Sequence, residues 1–519
     1  MTESKRSPRW VAVLLGAVAF GVAHTQALHW YSNQHQYLLH GLAVKSPSLA
    51  HDWLANTLDP TPLFSAFVAA VPPAVLHGTY FALLMLYFVA LVRLAERLPT
   101  PPPPLPFAAL VVLVHAAVVR AASVGLTGTD YPWFLQCGVA NQYVLGPAIQ
   151  PSAYGVFLVA AVAAFAHGRL AVAAFGLMAA CWIHATYLLP AALLTLGFQL
   201  VLIREGRWRA ALAFGVALLV AVSPVVVYGL KTFVPSSPEA FAEAQRLFVE
   251  VRIPHHAVIA RWFDRTAVAQ MVWVALALAL LWRSRLFWVL ALPTVLAVAL
   301  TLVQAATGSH TLALIFPWRV SAVLVPVATA IILARVAGPL GRVPKVGWVV
   351  LIVALAAGGV WVMATGRGYR MNDAELPLLE YVRDAGGDEV YLLPVAVPTA
   401  GKAKDGPAVP CTTFTPPPRP EPGSNKIAVD LQRFRLSTSQ PIYVDFKSVP
   451  YKDAEVLEWW RRMQRCMGWY ARLAKGEDVR DELRREGVTR VVAPASLDLG
   501  GAAFEQVYAD PYYRVYRLR

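Results

Sequence analysis

The sequence predicts an α-helical polytopic membrane protein with about eleven transmembrane helices over residues 1–365, followed by a C-terminal extracytoplasmic α/β domain over residues 366–519. Three observations carry this. Stretches such as Trp10–Trp30, Val75–Val92, Ala210–Leu230 and Val346–Ala364 approach the ~20 apolar residues that cross a bilayer as helix, and a helix satisfies its own backbone polar groups there. The composition agrees, with 57% hydrophobic and 15% charged residues and a mean hydropathy of +0.51. After Gly366 the apolar rhythm stops.

The charge balance excludes one class and sets an orientation. Of 45 Lys/Arg and 31 Asp/Glu, the tail from Gly366 holds 23 and 21, leaving 22 basic and 10 acidic residues in the membrane part. The net +14 therefore belongs to short loops between spans and is no signature of nucleic-acid binding. Lys5, Arg6 and Arg9 precede the first span and Arg93 and Arg97 follow the second. Arg204, Arg207 and Arg209, then Arg283 and Arg285, then Arg335, Arg342 and Lys345 mark later connections. The positive-inside rule places these loops and the N-terminus in the cytoplasm. An odd number of spans then puts the tail outside, at a bacterial plasma membrane. Leu170–His184 is marginal in length, and losing it inverts every later segment. The first apolar stretch also fits a cleavable signal ending near Ala27, but Trp30 and Tyr31 suit an interfacial anchor better.

The outward loops at residues 31–74, 123–151 and 231–266 are long and rich in aromatic, His and Pro residues, which directs the search for chemistry there. Cys137, Cys181, Cys411 and Cys466 are too scattered for a metal knuckle. Cys411 and Cys466 share the external domain, where either a disulfide or two thiols fits. In the first loop, Leu38, Leu39 and Leu42, then Leu49, Trp53 and Leu54, suggest two short amphipathic helices at the interface. Asp52 lies beside them. A carboxylate at that depth needs solvent, a partner or a metal, and it suits a general base that deprotonates an incoming hydroxyl. The plainer readings are an N-cap at Asp52 and a turn at Asp59-Pro60.

Many spans, a long first outer loop with an Asp after the first helix, interfacial helices and an outward C-terminal domain together resemble the GT-C class of glycosyltransferases. The run Asn33-Gln34…Tyr37-Leu-Leu-His-Gly-Leu42…Asp52-Trp-Leu…Asp59-Pro-Thr-Pro62 resembles an uncharacterised bacterial branch of polytopic membrane proteins. So does Pro441-Ile-Tyr-Val-Asp-Phe-Lys-Ser-Val-Pro-Tyr451…Glu458-Trp-Trp-Arg461. The class resemblance implies a polyprenyl-phosphate-linked sugar donor and an acidic base in the first outer loop, which by position is Asp52. Asn33, Gln34 and Asp59 are then substrate-binding candidates. A Trp-Trp-Asp-type motif of oligosaccharyltransferases is absent, which argues against protein N-glycosylation.

Two further groups complete the expected site. Arg252-Ile-Pro-His-His256 comes after Pro238–Val251, a segment whose acidic and apolar alternation suits a helix on the membrane surface. Arg252, His255 and His256 are candidates for phosphate, and a divalent metal with a carboxylate remains open. Phe316-Pro-Trp-Arg-Val-Ser321 places Arg319 in apolar sequence, where its fork suits a lipid-linked phosphate and snorkelling is the alternative. His310 lies just before it. Arg120 and Lys231 are weaker candidates of the same kind, and Tyr131, Trp133, Asn141 and Gln142 suit a sugar pocket. In the tail, Glu389–Val397, Pro441–Phe446 and Val488–Ala493 read as strands, with Val507–Ala509 and Tyr513–Leu518 as a hairpin. Asp453–Leu473 and Val479–Glu486 read as helices and Thr399–Ser424 as a loop. The expected function is transfer of a sugar to an extracytoplasmic acceptor. A transporter or flippase of a lipid-linked saccharide, or a non-catalytic scaffold, is the alternative, although no internal repeat is visible.

Overall fold

The structure, a computed structural model, describes residues 7–24, 30, 33–128, 130–146, 148–365, 373–395, 431–501 and 503–519. The chain divides into two compact units. One comprises Met1–Ala27, Pro73–Tyr228 and Ile253–Gly368, the other Leu28–Pro72, Gly229–Arg252 and Tyr369–Arg519.

The first unit is helical. Among the described residues, six helices are long and apolar enough to cross a membrane: Pro73–Ala95, Ala185–Arg204, Trp208–Thr232, Arg285–Thr307, His310–Leu340 and Lys345–Ala364. Pro104–His115 and Ala117–Thr127 form a further candidate, bent by 50°. The break falls at Ala116, whose ψ of 130 is extended. Beside it the His115 ring donates to the Val111 carbonyl at 2.8 Å and accepts from the Tyr87 hydroxyl at 3.1 Å. Shorter apolar helices cover Trp10–His24, Pro151–Ala166, Leu170–Ile183 and Arg265–Leu280. These features make the chain a multi-pass membrane protein.

Close packing in this unit rests on small residues, as expected where lipid offers no hydrophobic drive for helix association. A Cβ on Gly359 would lie 2.8 Å from Ala23 Cα and would also strike the Val22 carbonyl, both on the first helix. Gly359→Ala is therefore expected to cost about 1–3 kcal/mol by overpacking, read as a lower unfolding midpoint in detergent. Gly78→Ala, in open space, is the control and is expected to leave the midpoint unchanged. Arg120 is buried, paired with Asp130 at 2.6 Å and set over the Trp133 ring at 4.6 Å. Its guanidinium is thus engaged by one carboxylate and one ring.

In the second unit the tail groups with segments 28–72 and 229–252. Its sheet has the order β1-β2-β4-β3, with β1 Tyr391–Leu392, β2 Arg490–Pro494, β3 Phe504–Ala509 and β4 Tyr513–Leu518. The β1–β2 pair is parallel and the others antiparallel. Alternate strand residues face opposite ways. Leu392, Val491 and Ala493 join a core with Trp459, Met463 and Tyr470 of the helix Asp453–Leu473. Tyr391, Val492 and Val515 join another with Leu378, Val382 and Phe434. Helices thus cover both faces.

Three expectations change here. Pro441–Phe446 is not a strand and adds only the bridge between Tyr391 and Ile442, made by the Tyr391 N–H to the Pro441 carbonyl and the Tyr443 N–H to the Tyr391 carbonyl, while the Ile442 N–H goes to Asp52. The segment after Ser237 forms the helix Pro238–Arg246 and a π-turn over Leu247–Arg252. Its apolar residues Ala244, Leu247 and Val251 enter the Trp459 core, so they are covered by protein and not by lipid headgroups. Leu38, Leu39, Leu49 and Leu54 of the first loop are likewise buried. Cys466 is a buried free thiol, while Cys411 and the Thr399–Ser424 loop lie outside the described residues.

Candidate functional site

Asp52 ends the turn after the short helix Pro47–Ala50 and is completely buried. Its Oδ1 accepts the Leu54 N–H at 2.9 Å, which is the local turn that the capping alternative foresaw. Its Oδ2 accepts Arg435 Nε at 2.7 Å and the Ile442 N–H at 3.0 Å. Arg435 extends the network through Nη1 to Asp445 at 2.8 Å, and Asp445 Oδ1 accepts the Ser448 N–H at 2.6 Å. Burial alone lowers an arginine pKa, but the two carboxylates outweigh it and raise that of Arg435. In this arrangement Asp52 has no face open to a substrate hydroxyl. Its geometry is that of a buried ion pair with Arg435.

Leu54 also lines a cleft of about 260 Å³ whose polar wall holds Gln36, Tyr37, His40, Thr61 and Tyr451. His40 donates to the Thr57 carbonyl at 3.0 Å, and Gln36 donates to the Val449 carbonyl at 3.0 Å. Glu455 accepts the Leu58 N–H of the same wall at 3.0 Å. Burial holds its carboxyl above the ordinary glutamate range, opposed by that hydrogen bond and by His40. Asn33 and Gln34 open the first short helix, and Gln34 is buried. Asp59 accepts the Thr61 N–H at 2.8 Å and shapes its Pro-containing turn.

The first unit holds a separate cleft of about 230 Å³, lined by Gln142, His256, Trp262, Gln304, Trp318 and Arg319 among others. The helical turn Pro317–Val320 positions Arg319 after Phe316, which takes a left-handed φ of 50. Arg319 donates through Nη1 to Gln142 Oε1 at 2.6 Å and lies 5.2 Å from the Tyr187 ring centre. Its Nε is buried without a hydrogen-bond partner among the described residues. His256 donates to the Ala140 carbonyl at 2.6 Å, and its ring centre lies 4.0 Å from that of exposed His255 at a tilt of 48°. His310 starts the next short helix and is half-buried.

Arg319, His256 and Gln142, singled out separately in the sequence, line one cleft. Sequence reasoning missed Arg435, Asp445, Lys447 and Glu455. Asp445 and Lys447 were signalled as charges in the otherwise apolar run Pro441–Pro450, whereas Arg435 and Glu455 lie in polar sequence that gives no such signal. Among the described residues, no group of three His, Cys, Asp or Glu side chains is arranged to hold a metal ion. Residues 425–466 match a family model described as a domain of unknown function, DUF6798; this stretch contains Arg435, Asp445, Lys447 and Glu455. No curated protein matches the chain.

Proposed function

We propose that the protein is a membrane glycosyltransferase of GT-C-like architecture that moves a sugar from a polyprenyl-phosphate-linked donor to an extracytoplasmic acceptor. The observation that carries this reading is Arg319, a guanidinium with an unspent buried N–H at a cleft shared with His256 and Gln142. A buried donor without a partner is costly, and a phosphate oxygen would satisfy it with a charge-assisted bond. Such a donor also stabilises the phosphate as it departs with negative charge. The transporter or flippase reading binds the same anion but makes no new glycosidic bond.

An arrangement of eleven spans fits the fold. Segments 28–72, 229–252 and 369–519 fold into one unit, so they share one side of the bilayer and are separated by even numbers of crossings. The six long helices give three crossings in each interval, an odd number. Counting the bent pair corrects the first interval, and counting Arg265–Leu280 corrects the second. Leu170–Ile183 and Pro151–Ala166 must then cross together or not at all. With both and Trp10–His24, the count reaches eleven. The basic alternate loops favour the outer face for the shared side.

Binding of a short-chain polyprenyl phosphate to the detergent-solubilised protein tests the reading. Loss of one charge-assisted bond is worth about 1.5–3 kcal/mol, so Arg319→Gln is expected to weaken binding by roughly ten- to a hundredfold. The unfolding midpoint should stay unchanged. Unaltered affinity in Arg319→Gln would leave the glycosyltransferase reading without its donor contact.

A further inference from the structure

The second unit places two cations side by side without anions to match. Arg252 is 7% exposed. One of its Nη atoms donates to the Lys447 backbone carbonyl, its guanidinium lies 5.6 Å from the Phe446 ring centre, and its Nε has no partner among the described residues. Lys447 is half-buried, and its ammonium has no hydrogen-bond or ion-pair partner among the described residues. Desolvation and the neighbouring Arg252 together push its pKa down to about 7, and Asp445 only partly opposes them. Asp445 is already divided between Arg435 and the Ser448 N–H. Of the five charges in this region, three are positive (Arg252, Arg435, Lys447) and two negative (Asp52, Asp445). Removing one partner from a buried ion pair is strongly destabilising because the remaining charge is uncompensated. Arg252 stands in that condition, with Lys447 beside it.

Asp445 also acts on Arg252, but it is already bonded to Arg435 and the Ser448 N–H, and the other polar groups around Arg252 are hydroxyls. Tyr451 and Tyr37 both interact electrostatically with its guanidinium, and their own hydroxyls meet at 3.3 Å. The buried Ser448 hydroxyl, next to Lys447, also lacks a hydrogen-bond partner among the described residues. Tyr37 and Tyr451 also belong to the wall of the cleft lined by Gln36 and His40.

We propose that Arg252, Lys447, Tyr37 and Tyr451 form a binding site for a phosphate-class oxyanion in the second unit. The planar Arg252 fork matches two anion oxygens, Lys447 supplies a compact charge, and the hydroxyls complete the shell. The site stands on second-unit residues alone and does not depend on the Arg319 reading.

Full-length protein in detergent is titrated with inorganic phosphate at constant ionic strength, with the unfolding midpoint and trace acetylation of Lys447 at pH 7.5 as readouts. Vesicles of phosphatidylcholine with or without phosphatidic acid form the second arm. Phosphate is expected to raise the midpoint and to slow Lys447 acetylation at least tenfold, by holding the amine protonated and covered. A response to phosphate identifies a soluble phosphate compound as the source, and a response to phosphatidic acid alone identifies a lipid headgroup. Lys447→Met retains the apolar stem and removes the repulsion on Arg252. It is expected to raise the midpoint without phosphate while abolishing the phosphate-induced rise. Arg252→Gln should weaken phosphate at least tenfold. No response of the wild-type protein to either anion, or an undiminished phosphate response in Lys447→Met, overturns the proposal.

Discussion

Arg435→Met is expected to cost the second unit about 3–5 kcal/mol, the usual result of removing one member of a buried ion network. Arg435 is the sole cation bonded to both Asp52, at 2.7 Å, and Asp445, at 2.8 Å, among the described residues. Methionine fills similar space but leaves two carboxylates buried against each other. For a folding unit of this size that corresponds to a fall of roughly 6–20 °C in midpoint. Asp52→Asn should be milder, because Arg435 keeps Asp445 and the asparagine carbonyl still accepts one backbone N–H. Replacing Asp52, Arg435 and Asp445 together by Asn, Met and Asn should recover most of the loss, since the penalty belongs to the unpaired charge. The buried Cys466 thiol is a built-in reporter, because its alkylation tracks opening of this unit. The same variants separate the two roles of Asp52. A structural partner lowers the midpoint in Asp52→Asn. A base would leave the midpoint intact and remove turnover instead, and that pattern would overturn the structural role.

The sequence is legible where local physics decides. Apolar helices were readable because a ~20-residue apolar run is nearly sufficient for a membrane helix. Asp453–Leu473 was readable to the residue, as its strong amphipathic period carries a full helical face. The hairpin of β3 and β4 was readable through its alternation, though β3 begins earlier, at Phe504. Pro441–Phe446 has a strand-like composition but pairs with the two-residue β1 only through one bridge. The surroundings of Asp52 were hidden for a related reason. Its partner Arg435 lies 383 positions away, and nothing local distinguishes a carboxylate awaiting a substrate from one awaiting an arginine. The arrangement of the tail with two distant loops was similarly hidden. Apolar residues on Pro238–Val251 read equally well as facing lipid or facing a core, and only the tertiary fold chooses.

That choice gives the other large effect. Trp459→Ala is expected to cost about 3–5 kcal/mol, the range for emptying a buried aromatic site. Trp459 is fully buried, and its indole N–H donates to the Asp445 carbonyl at 2.9 Å. It therefore anchors the backbone of the residue that holds Arg435, besides filling the core shared with Leu247 and Val251. Alanine removes both, and the loss should spread to the loop segment 229–252. Trp459→Phe keeps most of the volume and surrenders the hydrogen bond, leaving one buried carbonyl short of a donor. It should cost about 1–3 kcal/mol. Limited proteolysis provides the decisive readout. Cleavage within Pro238–Arg252 should accelerate along with Cys466 alkylation in Trp459→Ala, because one core serves both segments. If cleavage there stays at the wild-type rate while Cys466 opens, the two segments do not share a cooperative core.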